Sequence, residues 1–172
     1  MTTIKLLCQT DLLSWHRVPR LHARAQKAAR ALWDELPRTP PFSATANILF
    51  TGNAALRRLN RDFRGVDRPT NVLSFPQFVP KDLRRLAGEG VPASLGDIAL
   101  AYQTVVIEAR RDDKVVGDHV SHLVVHGLLH LLGYDHMTQR EATTMESLEQ
   151  KIMASLGLPD PYAYVLRKKR RP

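Results

Sequence analysis

Three of the seven histidines, His126, His130 and His136, are spaced H-x-x-x-H-x-x-G-x-x-H, with Gly133 as the glycine. Two histidines four apart on a helix lie one above the other on the same face, so both imidazoles can reach one ion. Gly133 can take the left-handed conformation that ends a helix and turns the chain back. His136 then returns to the same point in space. A helical histidine pair also occurs as a half-buried hydrogen-bonded pair; the glycine and the third histidine at these offsets are what make a metal site of it. Three neutral imidazoles with a fourth position open to water is the layout of a catalytic zinc site, not of a closed structural one. One zinc ion per chain is therefore expected, or another divalent transition metal in its place. Leu128, Leu129, Leu131 and Leu132 read as core that anchors the helix and keeps bulk water from the ion.

The neighbours of the histidines narrow the chemistry. Where H-E-x-x-H peptidases carry their general base, this chain has Gly127, which has no proton-accepting side chain. A metalloprotease-like hydrolase with a non-standard base is thus the alternative reading. There is no Gly-rich phosphate loop, no cysteine pair and no G-x-S-x-G elbow. A two-metal nuclease would want several carboxylates, and only Asp135 stands close in the chain. Asp135 reads as a turn residue beside Tyr134, or as a group that orients a histidine or accepts a proton. His122, four residues before His126, reads as a core residue or a support for the ligands. Upstream, Arg57, Arg58, Arg61, Arg64 and Arg68 form a cluster of planar guanidiniums suited to phosphate. Phosphodiester cleavage needs such cations, because charge builds on the phosphoryl oxygens in the transition state.

The elements that must position these groups follow from the hydrophobic pattern. Strands are expected at 3–8, 44–51, 71–75 and 95–101, and helices at 19–36, 53–62 and 103–113. The histidine helix is expected to open near Asp118 as its cap, and Asn53 is expected to cap the helix it begins. A final helix starts at Thr138, where Thr-Gln-Arg-Glu141 matches a capping box, with Met145, Leu148, Ile152 and Leu156 as its buried stripe. Residues 77–95, rich in proline and glycine, read as a long irregular excursion. The result is an α+β domain, a sheet of about four strands with five or so helices packed around it and a zincin-like metal helix. Residues 1–166 are expected to form one domain and 167–172 a basic tail.

The chain has 172 residues and a formal net charge of +8, of which the last six residues supply five charges. Such a balance favours a polyanionic partner. No apolar run approaches membrane-spanning length, the first 17 residues lack the features of a signal peptide, and Cys8 is the single cysteine. A cytoplasmic protein is expected, with no membrane partner.

The stretch His126-Gly127-Leu128-Leu129-His130-Leu131-Leu132-Gly133-Tyr134-Asp135-His136 resembles the signature of the YbeY family of bacterial rRNA-maturation endoribonucleases. Leu59-Asn60-Arg61-Asp62-Phe63-Arg64, then Pro69-Thr70-Asn71-Val72-Leu73-Ser74-Phe75-Pro76, is similar to the family's upstream block. Leu95-Gly96-Asp97-Ile98 and the late Gly157 with Asp160-Pro161-Tyr162 fit as well. The resemblance implies a small mixed sheet ringed by helices and a single zinc-like ion held by His126, His130 and His136. It implies a single-strand-specific endoribonuclease that matures the 3′ end of 16S rRNA and takes part in ribosome quality control, with RNA and the small ribosomal subunit as partners and no DNA. The family's functionally important arginine falls on Arg64, a candidate catalytic residue; Arg61, Arg68 and Ser74 are candidate substrate contacts. A ribosome-associated assembly factor with a structural metal is a further alternative.

Overall fold

A computed structural model describes residues 2–38, 40–79, 82 and 93–163. In chain order it contains β1 (Ile4–Thr10), α1 (Leu21–Glu35), β2 (Ala44–Thr51), α2 (Asn53–Arg64), β3 (Val72–Pro76), β4 (Ala93–Ala101), α3 (Tyr102–Arg111), α4 (Val116–Leu131) and α5 (Gln139–Ser155). A short 3-10 turn, Leu13–Arg17, precedes α1. The strands form one sheet in the order β1-β2-β4-β3. β1, β2 and β4 run parallel and β3 is antiparallel to β4, so the sheet is mixed. The expected α+β class is the observed one, with four strands and five α-helices among the described residues.

Alternation along the strands divides the two faces. Ala44, Ala46, Ile48 and Phe50 of β2 point into the main core together with Leu95, Ile98 and Leu100 of β4. α1, α4 and α5 cover that face. On the opposite face Leu56 of α2 meets Leu73, Ala99 and Ala101. Trp15, fully buried, closes one end by donating from Nε1 to the Thr51 carbonyl at 2.8 Å.

α4 is the central element, touching α1, α3, α5, β3 and β4. A helix surrounded in this way has to be apolar on most sides, and its sequence is. From His119 to Leu131 every residue is buried except His126 and His130. The packing thus leaves two openings in this stretch, both at histidines.

Two expected caps have other partners. α2 has Gly52 at its N-cap, and Asn53 reaches across to α3, where its Oδ1 accepts from the Thr104 backbone N–H at 3.3 Å and hydroxyl at 2.8 Å. α4 begins at Val116, ahead of Asp118, whose carboxylate instead meets Arg24 of α1 at 3.2 Å. A side chain that can cap locally can also bond across the fold, and here the tertiary partner prevails. The Thr138 box forms as expected: its Oγ1 accepts from the Glu141 N–H at 3.2 Å while its own N–H donates to Glu141 Oε2 at 2.9 Å. Most of the expected irregular excursion, residues 80–81 and 83–92, and the basic tail at 167–172 lie outside the described residues.

Candidate metal centre

α4 ends at Leu131, and Gly133 follows with φ 87°, in the left-handed region. The Gly133 N–H donates to the His130 carbonyl and the Tyr134 N–H to the Leu129 carbonyl, both at 3.0 Å. These bonds satisfy the last carbonyls of the helix and reverse the chain. Asp135 then accepts from the His136 N–H at 2.8 Å, which makes it a turn residue. Three residues later the Thr138 cap fixes the start of α5. His136 is therefore held between two anchored ends.

This turn brings one ring nitrogen from each of His126, His130 and His136 within 4.8 Å of the others, a group that could hold a metal ion. His126 Nε2 and His130 Nε2 are 3.2 Å apart. Two imidazole ligands of a tetrahedral zinc, at about 2.0–2.1 Å from the ion, would sit about 3.3 Å from each other. Burial, with His126 and His136 nearby, lowers His130 to about 4, so its ring is neutral and keeps a lone pair. The donor set fits the ion that the sequence implies.

Glu149 of α5, fully buried, orients the first ligand. Its Oε1 accepts from His126 Nδ1 at 2.7 Å, which fixes the tautomer that leaves Nε2 bare. Its other oxygen takes the Tyr162 hydroxyl and lies 3.4 Å from His122 Nε2. Burial alone would raise the Glu149 carboxyl, but His122 close beside it and the bond from His126 override it and pull it down to about 2. On His122 the balance is reversed, since burial lowers it more than Glu149 raises it. A neutral His122 thus supports an ionised Glu149, and Tyr162, raised by burial and by that carboxylate, stays protonated. Sequence reasoning missed Glu149. The available signal was a carboxylate four residues after Met145 and next to Leu148, on the apolar stripe of α5.

Gly127, at the place of the peptidase glutamate, has a packing reason. A Cβ there would stand 3.0 and 3.1 Å from two carbons of Ile98 and 3.1 Å from Ser74 Oγ. α4 lies so close to β3 and β4 that a side chain at this position would have to be accommodated by its neighbours. Ser74 is buried against this glycine and packs under the metal helix. Arg61, Arg64 and Arg68 are exposed at the end of α2 and in the loop after it, and none lines the cavity that reaches His126. Arg57 and Arg61 are engaged by Asp67 and Asp62. Among the described residues no hydrogen bond or ion pair engages the guanidinium of Arg64.

The family described as Endoribonuclease YbeY matches residues 10–157. An Endoribonuclease YbeY of Rhodopseudomonas palustris is 54% identical over 118 residues, which cover 67% of this chain and 60% of that protein. The chain thus spans about three fifths of that relative's length. One from Bradyrhizobium diazoefficiens is 45% identical over 150 residues, covering 87% and 80% respectively. The solution structure of TM1509 from Thermotoga maritima superposes with a TM-score of 0.52 at 21% identity, covering 92% of this chain and 97% of that one, a likeness of fold. With three imidazoles converging at the exit of the central helix and a family match across most of its length, the chain belongs to the endoribonuclease YbeY family.

Proposed function

We propose that this chain is a zinc-dependent endoribonuclease that cuts single-stranded RNA, acting in the cytoplasm on rRNA of the small ribosomal subunit, at the 3′ end of 16S rRNA. The observation that carries the reading is the convergence of His126, His130 and His136, on the scaffold of an endoribonuclease family, beside a glycine where a peptidase base would crowd Ile98 and Ser74. A bound zinc ion supplies Lewis acidity and a water whose pKa falls to about 7. His126 and His130 present their ring nitrogens from a rigid helix, and His136 closes the set from the turn. Glu149 holds His126 in register. Arg64, which no carboxylate among the described residues engages, is proposed to steady a backbone phosphate, and Arg61 and Arg68 extend the positive surface. Ser74 supports the metal helix from beneath. Among the described residues no helix is long and apolar enough to cross a membrane.

The test pairs metal analysis with RNA cleavage on the wild type and on His130→Ala. The expected result is about one zinc per wild-type chain, none retained by the variant, and cleavage of single-stranded RNA by the wild type alone. Arg64→Ala should keep its zinc and cleave less well, chiefly through a raised KM for the RNA strand. Products ending in a 3′-hydroxyl mark attack by water, and a cyclic phosphate marks attack by the neighbouring ribose hydroxyl. A wild type that holds zinc yet leaves RNA intact, and unfolds when the zinc is removed, would make this an assembly factor with a structural metal. Chelation-sensitive casein cleavage without RNA cleavage would make it a peptidase.

A further inference from the structure

The metal helix carries two more histidines on the face of His126, one and two turns back: His122 and His119. His119 stands seven residues from His126, about 10 Å along the axis at 1.5 Å per residue. That is too far to share the ion. Its partner is Glu108 of α3, whose Oε2 lies 2.9 Å from His119 Nε2. The same oxygen accepts from Asn71 Nδ2 at 2.9 Å. Asn71 is fixed in turn, because its Oδ1 accepts from the Val72 N–H at 2.7 Å. Burial would raise the Glu108 carboxyl, yet these bonds leave it below the usual range, so it is an ionised, acceptor-only group. Both bonds fall on Oε2, and Oε1 carries neither.

Glu108 lines a cavity of about 720 Å³ whose wall also includes Asn71, Lys114, His119, His126 and Tyr162. That volume lies within the range of small-ligand sites, about 300–1,000 Å³. His126, one of the three histidines of the candidate metal centre, forms part of its wall. Arg111 and Lys114 line the same wall and suit a phosphate backbone, while the ionised carboxylate can only accept, so the ligand has to bring it a donor. In a strand of RNA the donor that recurs at every nucleotide, whatever its base, is the ribose 2′-hydroxyl.

We propose that this cavity seats a ribonucleotide flanking the scissile phosphate, with Glu108 accepting a hydrogen bond from its ribose 2′-hydroxyl. Asn71 and His119 are positioning residues that hold the carboxylate in place. Tyr162 offers an aromatic wall to the base, and Lys114 adds positive charge for the backbone. The inference rests on the nuclease reading and adds to it a place where RNA is told from DNA.

The test uses oligoribonucleotides carrying a single 2′-deoxy substitution, walked along both sides of the cut. The nucleotide whose own 2′-oxygen adjoins the scissile phosphate is left unmodified. The zinc-loaded protein should lose about tenfold or more in kcat/KM at one flanking position, the scale of one hydrogen bond to a charged group. The chelated protein should lose affinity for the same oligonucleotide, a readout independent of turnover. Glu108→Ala should abolish that positional penalty while keeping its zinc stoichiometry. If that variant does not fold, Asn71→Ala, which leaves the carboxylate but removes one of its tethers, should shrink the penalty. An uncut all-ribose strand overturns the nuclease reading and this inference together. A cut strand with no sensitive flanking position, a penalty that persists in the variants, or a preference for certain bases without a deoxy effect overturns the inference alone.

Discussion

Glu149 is a buried carboxylate whose three partners, His122, His126 and Tyr162, are all side chains, and that arrangement makes it more than a packing residue. Replacing it with glutamine keeps the volume but lets an amide face His126, so the imidazole is no longer held in one tautomer. Glu149→Gln is expected to weaken zinc binding by about ten- to a hundredfold, measured by competition with a chromophoric chelator while circular dichroism reports the fold. At Gly127 the restriction is space. Gly127→Glu, which would restore the peptidase motif, has to push Ile98 and Ser74 aside and place a charge in the core. A loss of about 3 kcal/mol or more in urea unfolding is expected, with no proteolysis gained. An unchanged midpoint would show that α4 and the sheet can separate at little cost.

Among the elements, β4 matters most after the metal helix, because it carries Ile98 beneath α4 and pairs with strands on both sides. Its register with β2 shifts between Thr45 and Asn47, next to Gly96. Gly96 has φ 126°, and a Cβ there would fall 2.1 Å from the Phe75 carbonyl oxygen of β3. No side chain fits without moving the backbone of one strand. Gly96→Ala is therefore expected to cost about 2 kcal/mol or more, from backbone strain and overpacking together. Faster exchange of the β3 and β4 amides, against little change in those of α1, would locate the damage; a uniform loss of protection would place it elsewhere.

For the molecule as a whole, the metal and the fold are linked. A ligand that binds only the folded chain stabilises it by about 4 kcal/mol at a thousand times its dissociation constant. Zinc should therefore raise the melting temperature, and chelation should reverse the gain; identical melting curves would mean that the three histidines hold nothing. The metal-free protein has its own pH response. The folded value of His130, about 4, lies below the unfolded 6.5, so its contribution to stability is present above 6.5 and is lost as pH falls toward 4. The folded value of Glu149, about 2, lies below 4.5, so its contribution is present above 4.5 and is lost as pH falls toward 2. Acid unfolding of the stripped protein should proceed through both windows, with stability falling at each. Stability that held level from pH 6.5 to 4 would contradict the burial of a neutral His130.

The sequence by itself determined what depends on neighbours along the chain. The period of the helix stacks His126 over His130, Gly133 takes the left-handed turn, Thr138 and Glu141 close their box, and alternating apolar residues make β2. Each needs only the geometry of a few consecutive residues, so spacing and residue type suffice. Tertiary structure decided every pairing between distant segments. It brought Glu149 to His126, Asn71 and His119 to Glu108, Asn53 to the first turn of α3 and Asp118 to Arg24. It also set α2, with its arginines, on the other face of the sheet from the metal helix. A polar side chain bonds whichever partner folding carries within reach, and that reach is a property of the packed layers, not of the order of residues.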